Sequence, residues 1–172
     1  MKKIIALVLL VASCSPGESQ QGGGNDSAAE AGQAAPPRDA KAGGPRIASL
    51  VGLYEAGEGT QKHQMCIVEG KSGHRFGVKI WGSSMHSCSG SGTAVREGDR
   101  LKLSMSGDAA CTVEATIDRN RVKMPEGVPE GCSYYCGAQA TFGGVELAQT
   151  GSNKADAMRA TDFVGEPLCE GS

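Results

Sequence analysis

The residues of this chain most able to do chemistry are its cysteines. It has seven, and six fall after residue 60. These six remain when Cys14 is set aside, and in a chain exported to an oxidising compartment an even number of cysteines favours disulfides, here three. Cys111 opens an alternating run that ends at Ile117, so we expect its side chain to point inward. We predict that it bonds to Cys132, and the spacing leaves the other pairings open. The six are Cys66, Cys88, Cys111, Cys132, Cys136 and Cys169.

Two other kinds of site would use the same sulfur atoms. Imidazole, thioether and thiolate groups lie close together in two short stretches, 63–66 and 85–88, and such groups are suitable ligands for copper or zinc. The ligands of this soft metal site would be His63, Met65, Cys66, Met85, His86 and Cys88. Disulfide formation would consume the thiolates, so we expect no metal and no cofactor. A redox pair of Cys132 and Cys136 is the other alternative, although active dithiols usually stand two residues apart.

Motifs for catalysis are missing from the sequence. It contains no G-x-S-x-G elbow, P-loop, dinucleotide fingerprint or H-E-x-x-H pattern. His86 stands near Ser84 and Ser87, but neighbours in sequence do not make a nucleophile and base without the matching geometry. We therefore expect a protein that is not an enzyme.

Two segments are candidates for binding. The stretch from Trp81 to Gly92 is rich in Gly and Ser and predicts a loop that can approach a partner closely. A second candidate is the pair of tyrosines between Cys132 and Cys136, which a disulfide-held turn would present at low entropy cost. Packing of the tryptophan and tyrosines in the core is the alternative. The binding-loop candidates are Trp81, Met85, His86, Ser91, Tyr134 and Tyr135.

The N-terminus predicts export. Lys2 and Lys3 precede an apolar run, Ile4 to Ala12, which is too short to span a bilayer. Val-Ala-Ser-Cys at 11–14 resembles the lipobox of bacterial lipoproteins. The resemblance implies a signal peptide over residues 1–13, lipidation of Cys14, and, because Ser15 follows, an outer-membrane anchor facing the periplasm. An ordinary secretory signal is the alternative.

A tether and a domain follow the signal. Residues 15–45 contain no Ile, Leu, Val, Met, Phe, Tyr or Trp, so they cannot offset the entropy of ordering a chain. We predict that residues 14–45, which start with the lipidated cysteine, form a disordered tether with a reach of roughly 30 Å. All seven aromatic residues lie after residue 45. The folded domain is therefore predicted at 46–172.

Alternating apolar and polar residues organise this domain. They recur at 76–80, 101–105 and 111–117, and short polar turns follow at 98–99, 106–108 and 119–120. A late hairpin of 138–142 with 145–149 and a short helix within 152–163 are also predicted. The pattern favours an all-β fold, a small antiparallel meander barrel or sandwich of about seven to nine strands.

The whole chain resembles envelope lipoproteins that carry small disulfide-bonded β-barrel domains. The segment Cys132-Ser-Tyr-Tyr-Cys-Gly137 is similar to the ending of uncharacterised proteobacterial lipoproteins. A more distant similarity is to membrane-bound inhibitors of c-type lysozyme, whose S-G-x-x-Y loop compares with Ser91-Gly-Thr-Ala-Val95. Val95 replaces the tyrosine and a second Y-x-x-x-T-K-G segment is missing, so only Ser91 carries over.

These features lead to an expected function. With 19 acidic and 17 basic residues, the charge does not favour nucleic acid. We expect a lipid-anchored, periplasm-facing binding or protective module of the cell envelope, similar to a lysozyme inhibitor. Its partners would be the membrane, through the lipid anchor, and a lysozyme or another envelope protein. Periplasmic copper handling and a structural envelope lipoprotein are the alternatives.

Overall fold

The folded domain is a closed antiparallel barrel of eight strands joined in chain order. A computed structural model describes residues 49–107 and 110–169. The predicted signal peptide, Cys14 and the tether lie outside the described residues. Each strand pairs with the next along the chain, and β8 closes the barrel against β1. The strands are β1 (Gly52–Ala56), β2 (His63–Gly70), β3 (Gly73–Trp81), β4 (Ser87–Glu97), β5 (Arg100–Met105), β6 (Thr112–Asp118), β7 (Arg121–Lys123) and β8 (Glu146–Gly151).

The period-two pattern fills the inside of the barrel. Successive side chains of a strand point to opposite faces, so Phe76, Val78 and Ile80 point inward while Lys79 between them points outward. The bulkiest interior side chains are Tyr54, Phe76 and Phe142, each no more than 1% exposed. The hydroxyl group of Tyr54 donates to the Leu50 carbonyl at 2.8 Å, and burial raises its pKa to about 12 against the opposing charge of Arg96.

A second, smaller apolar cluster lies outside the barrel, against β1 and β2. In β2, Met65 and Ile67 point into the barrel while Cys66 and Val68 point outward into this second cluster. Both faces of the strand are therefore buried, which explains why β2 is apolar at four successive positions, 65–68. The helix α1 (Lys154–Ala157) and the segment after it cover this face. The Asn153 side chain caps α1 by accepting the Asp156 amide at 2.9 Å. The cluster consists of Leu53, Cys66, Val68, Ala157, Ala160 and Cys169.

Most predicted elements are confirmed. The alternating stretches at 76–80, 101–105 and 111–117 lie in β3, β5 and β6, and the short helix within 152–163 is α1. Between barrel and sandwich, the structure selects the closed barrel. The late hairpin is wrong: residues 138–142 are irregular, and β8 pairs with β7 and β1 instead. Phe142 explains the difference: its side chain packs in the barrel core from an irregular loop, so its apolar character does not mark a strand.

The two ends of the barrel differ in their connections. At the short-turn end, two-residue turns at 71–72, 98–99 and 119–120 join the strands, and the chain enters β1 from Ser49. At the long-loop end, the connections span 57–62, 82–86, 106–111 and 124–145. Three of these contain 3₁₀ turns, at Gly59–Gln61, Ser83–Met85 and Glu130–Tyr135. In the described part of the chain, no helix is long and apolar enough to cross a membrane.

Candidate functional site

The longest connection, residues 124–145, lies across the long-loop end. Its base is closed by two backbone hydrogen bonds, from Met124 N to Val145 O at 2.8 Å and from Gly144 N to Pro125 O at 2.9 Å. Within it, Phe142 is completely buried in the barrel core. The loop is therefore a fixed part of the barrel, which is the condition for a precise binding surface.

Two disulfides hold the 3₁₀ turn Glu130–Tyr135 within this loop. Cys132 is bonded to Cys111, just before β6, and Cys136 is bonded to Cys88 on β4. The prediction that Cys111 pairs with Cys132 is confirmed. The alternative redox pair is wrong, because Cys132 and Cys136 have different partners. The turn is thus attached to the barrel at both of its ends.

The two tyrosines between these disulfides have different surroundings. The Tyr135 hydroxyl donates to the Ser106 carbonyl at 2.8 Å, so this ring is part of the packing. Tyr134 is 81% exposed and contacts Tyr135 edge-to-face, with 5.3 Å between ring centroids. Exposed aromatic side chains at fixed positions are typical of protein interfaces. Of the predicted pair, Tyr134 is the one available to a partner.

Trp81 and Met85 meet in a groove of about 510 Å³ at the same end of the barrel. Met85 is 70% exposed, and its sulfur accepts from the Gln61 amide at 3.2 Å. Trp81 is half-buried and packs edge-to-face on Phe163 at 4.8 Å, so it both packs and lines the groove. Its indole N–H is buried and has no hydrogen-bond partner in the described part of the chain. The groove is lined by Glu58, Gly59, Thr60, Gln61, Trp81 and Met85.

The loop that carries Met85 holds a strained backbone. Ser84 and Met85 have φ values of 53° and 65°, a left-handed conformation that costs about 1–2 kcal/mol per residue without glycine. Hydrogen bonds from Gly82 N to His86 O at 2.7 Å and from Ser83 N to Gln139 O at 3.0 Å keep the loop in place. Backbone strain of this kind, maintained by surrounding hydrogen bonds, is often found at functional sites such as binding loops.

His63 and His86 serve the structure of this end. The Nδ1 atom of His63 accepts the Trp81 backbone N–H at 3.1 Å, and burial lowers the pKa of His63, so the ring stays neutral at this nitrogen. His86 ends the 3₁₀ turn and lies directly against Gly137, where a Cβ would approach its Nδ1 to 2.8 Å. Both histidines thus hold loops together.

The alternative soft metal site is not assembled. Cys66 and Cys88 are consumed in disulfides with Cys169 and Cys136. Met65 points into the barrel and is fully buried. Among the described residues, no group of three or more His, Cys, Asp or Glu side chains gathers to hold a metal ion.

Ser91 lies apart from the other candidates. The predicted loop from Trp81 to Gly92 is wrong beyond His86, because residues 87–92 belong to β4 and Ser91 pairs with Gly77 of β3. Gly92 in the same strand lets β5 approach closely, because a Cβ at Gly92 would collide with the Ser104 carbonyl of β5. Ser91 faces a small groove formed with Pro167 and Leu168 instead.

Sequence reasoning missed the contribution of the C-terminal segment. Phe163 stands against Trp81, and the Lys79 ammonium lies 5.7 Å from the Phe163 ring centroid and donates to the Asp162 carbonyl at 3.2 Å. Burial lowers the pKa of Lys79, which the charge of Asp162 partly offsets. The apolar pair Phe163-Val164, in a largely polar C-terminal segment, is the sequence signal that could have indicated this contact.

In comparisons with known proteins, no family model, no curated protein and no solved structure matches this chain. The long-loop end is therefore interpreted from its own geometry. It combines an exposed tyrosine on a disulfide-held turn with a groove lined by Trp81 and the strained Met85.

Proposed function

We propose that this protein is a lipid-anchored, periplasm-facing binding or protective module of the cell envelope, held at the outer membrane. In this proposal the long-loop end of the barrel presents Tyr134 and Met85 to a partner. The membrane, through the lipid on Cys14, and a lysozyme or another envelope protein are the proposed partners.

The observation that carries the proposal is the position of Tyr134. A large aromatic side chain that is 81% exposed contributes little to folding, yet the turn beneath it is attached to the barrel by two disulfides. A rigid exposed ring loses little conformational entropy when a partner covers it, so such rings dominate many interfaces. Met85 is 70% exposed on a strained loop at the same end of the barrel, which also favours this end as the contact surface.

The disulfides also support the proposed compartment. Three disulfides are typical of proteins that fold in oxidising environments such as the periplasm. The chain enters the barrel at the short-turn end, so a tether that starts there leaves the long-loop end on the opposite side of the barrel.

Site-specific photo-crosslinking tests the contact surface. A photoreactive amino acid replaces Tyr134 in one variant and Asn120, at the short-turn end, in the control, and both are expressed as the complete exported chain. We expect a discrete crosslinked protein from position 134 and none from position 120. Equal crosslinking at both positions, or none at either, would contradict a binding surface at the long-loop end.

A lysis assay tests lysozyme as the partner. The mature chain with Cys14→Ser, which stays soluble, is titrated into peptidoglycan that a c-type lysozyme is degrading. Inhibition that Tyr134→Ala abolishes is the expected result. Unchanged lysis at high molar excess would exclude lysozyme and leave another envelope protein as the partner that crosslinking must identify.

Fractionation tests the anchor. We expect the complete chain to sediment with the outer membrane and a Cys14→Ser variant, exported behind an ordinary cleavable secretory signal, to appear in the soluble periplasmic fraction. Sedimentation of both forms would show that the lipid on Cys14 is not what holds the protein there.

A further inference from the structure

A groove of about 400 Å³ lies beside the turn between β2 and β3, away from the groove at the long-loop end. Its size falls within the range of small-ligand sites. The lining residues are of three kinds only: glycines, hydroxyl residues, and residues that carry or can carry positive charge. They are Gly70, Lys71, Ser72, Gly73, His74, Arg75, Gly92, Thr93 and Ser106. None of these lining residues is acidic, although the whole chain has a net charge of −2.

The two permanent cations of this groove have no partner within the described part of the chain. Lys71 and Arg75 are exposed and take part in no ion pair or side-chain hydrogen bond there. Arg121, by contrast, contacts Glu146 at 2.7 Å. The acid nearest in register is Glu69, which stands opposite His74, and the proposal therefore uses only Lys71 and Arg75.

The backbone positions Arg75 for this groove. The aliphatic part of its side chain lies over Gly70, where a Cβ would approach its Cγ and Cδ to 3.0 and 3.2 Å. Across the ladder, Arg75 stands opposite Thr93 of β4. The guanidinium fork, the Lys71 ammonium and the hydroxyl groups of Ser72 and Thr93 together form a set of donors. Such a set matches the oxygens of a phosphate, which arginine can hold by two parallel hydrogen bonds.

We propose that this groove, the phosphate groove, binds a phosphate group of an anionic ligand through Lys71 and Arg75. The phosphate can belong to a lipid headgroup or to a soluble molecule. The groove adjoins the short-turn end, where Ser49 leads into β1, and a headgroup source depends on the proposed lipid anchor. The phosphate chemistry itself does not depend on it.

The test uses the mature chain with Cys14→Ser and two probes. Inorganic phosphate is titrated while amide chemical shifts of residues 70–75 are followed, with chloride at equal ionic strength as the reference. Vesicles of phosphatidylglycerol, with phosphatidylcholine vesicles as the reference, are tested by co-sedimentation. The variant is Lys71→Gln with Arg75→Gln. The matched control is Arg100→Gln with Lys102→Gln, which removes the same charge from a groove that also contains Glu97 and Glu114.

We expect binding that the Lys71 and Arg75 double variant weakens at least about tenfold, as the loss of one charge-assisted hydrogen bond predicts. The control should retain binding. Response to phosphate alone would identify a soluble source, and response to phosphatidylglycerol vesicles alone would identify the headgroup. Equal weakening in both double variants, or no response to either probe, would overturn the phosphate groove. Neither result bears on Tyr134, which does not line the phosphate groove, so the proposed function is tested separately.

Discussion

The two ends of this barrel are built on different principles. At the short-turn end, two residues suffice to reverse the chain, and local backbone conformation maintains the structure. At the long-loop end, the 22 residues from 124 to 145 have little regular structure, and they are held by Phe142 in the core and by two disulfides. This attachment holds the loop while Tyr134 and Met85 stay mostly exposed. The short-turn end thus needs no disulfide to hold its turns, whereas the long-loop end uses two disulfides and a core residue to hold a loop that carries exposed side chains.

Removing Phe142 should have the largest effect on this contrast. Phe142→Ala leaves a cavity beneath the long loop and is expected to lower the free energy of unfolding by about 3–5 kcal/mol. The control Asn120→Ala, in an exposed turn at the other end, should change it by less than about 0.5 kcal/mol. Urea unfolding measures both values. A cost below about 1 kcal/mol for Phe142→Ala would mean that the loop does not depend on its core residue.

Removing one disulfide at a time should show a further difference between the long-loop end and the rest of the barrel. Replacing Cys111 and Cys132 by alanine is expected to destabilise the chain by about 2–4 kcal/mol, and replacing Cys66 and Cys169 by a similar amount. Only the first change should accelerate amide hydrogen exchange in residues 124–145, because of these two bonds only Cys111–Cys132 attaches the 3₁₀ turn. Unchanged exchange in this loop after the first replacement would contradict the role given to the bond.

Lowering the pH should destabilise the long-loop end, because His63 becomes protonated. Burial places the folded-state pKa of His63 below its ordinary value of 6.5, so its contribution to stability is fully present above that pH and is lost as the pH falls through the lowered pKa. Protonation also removes the acceptor for the Trp81 amide, a bond worth about 1 kcal/mol. Trp81 is the single tryptophan of the chain, so its fluorescence reports the change.

The control for this acid response is His63→Asn, which keeps an acceptor but does not titrate. We expect the fluorescence of this variant to stay constant through the pH range in which the original chain changes. The same acid transition in both proteins would assign it to another group.

The smallest effects should come from relieving backbone strain at each end. Arg119 and Met85 both have positive φ, at 51° and 65°, and glycine removes that penalty while making the unfolded chain more flexible. We expect Arg119→Gly and Met85→Gly each to raise the free energy of unfolding by about 0.5 kcal/mol. Crosslinking from position 134 should fall only in the Met85→Gly chain. An equal fall in both variants would remove the functional distinction between the ends.

Much of the fold followed from local pattern. Alternation over 76–80, 101–105 and 111–117 predicted strands, because side chains that alternate between core and solvent repeat every two residues. It failed for residues 138–142, where Phe142 enters the core from an irregular loop. The loop candidate 81–92 failed for a related reason: Gly and Ser residues that favour loops also permit the close strand pairing found at Gly92.

Less of the candidate site could be predicted. Trp81, Met85 and Tyr134 were indicated by residue type, but the contact of Trp81 with Phe163 joins residues 82 positions apart. The phosphate groove likewise combines a turn between β2 and β3 with Thr93 and Ser106 from later elements. Such combinations depend on barrel closure and register, which no local pattern specifies.

The sequence by itself determined the strand segments and the short turns, because each depends on neighbours along the chain, and it supplied the six cysteines of the folded domain. Only the tertiary structure decided that the sheet closes, that Cys66 bonds to Cys169, and that Cys132 and Cys136 attach one turn to two different elements. A disulfide requires two Cβ atoms to approach closely, and residues 103 positions apart do so only after β1 and β2 have received the C-terminal segment on their outer face.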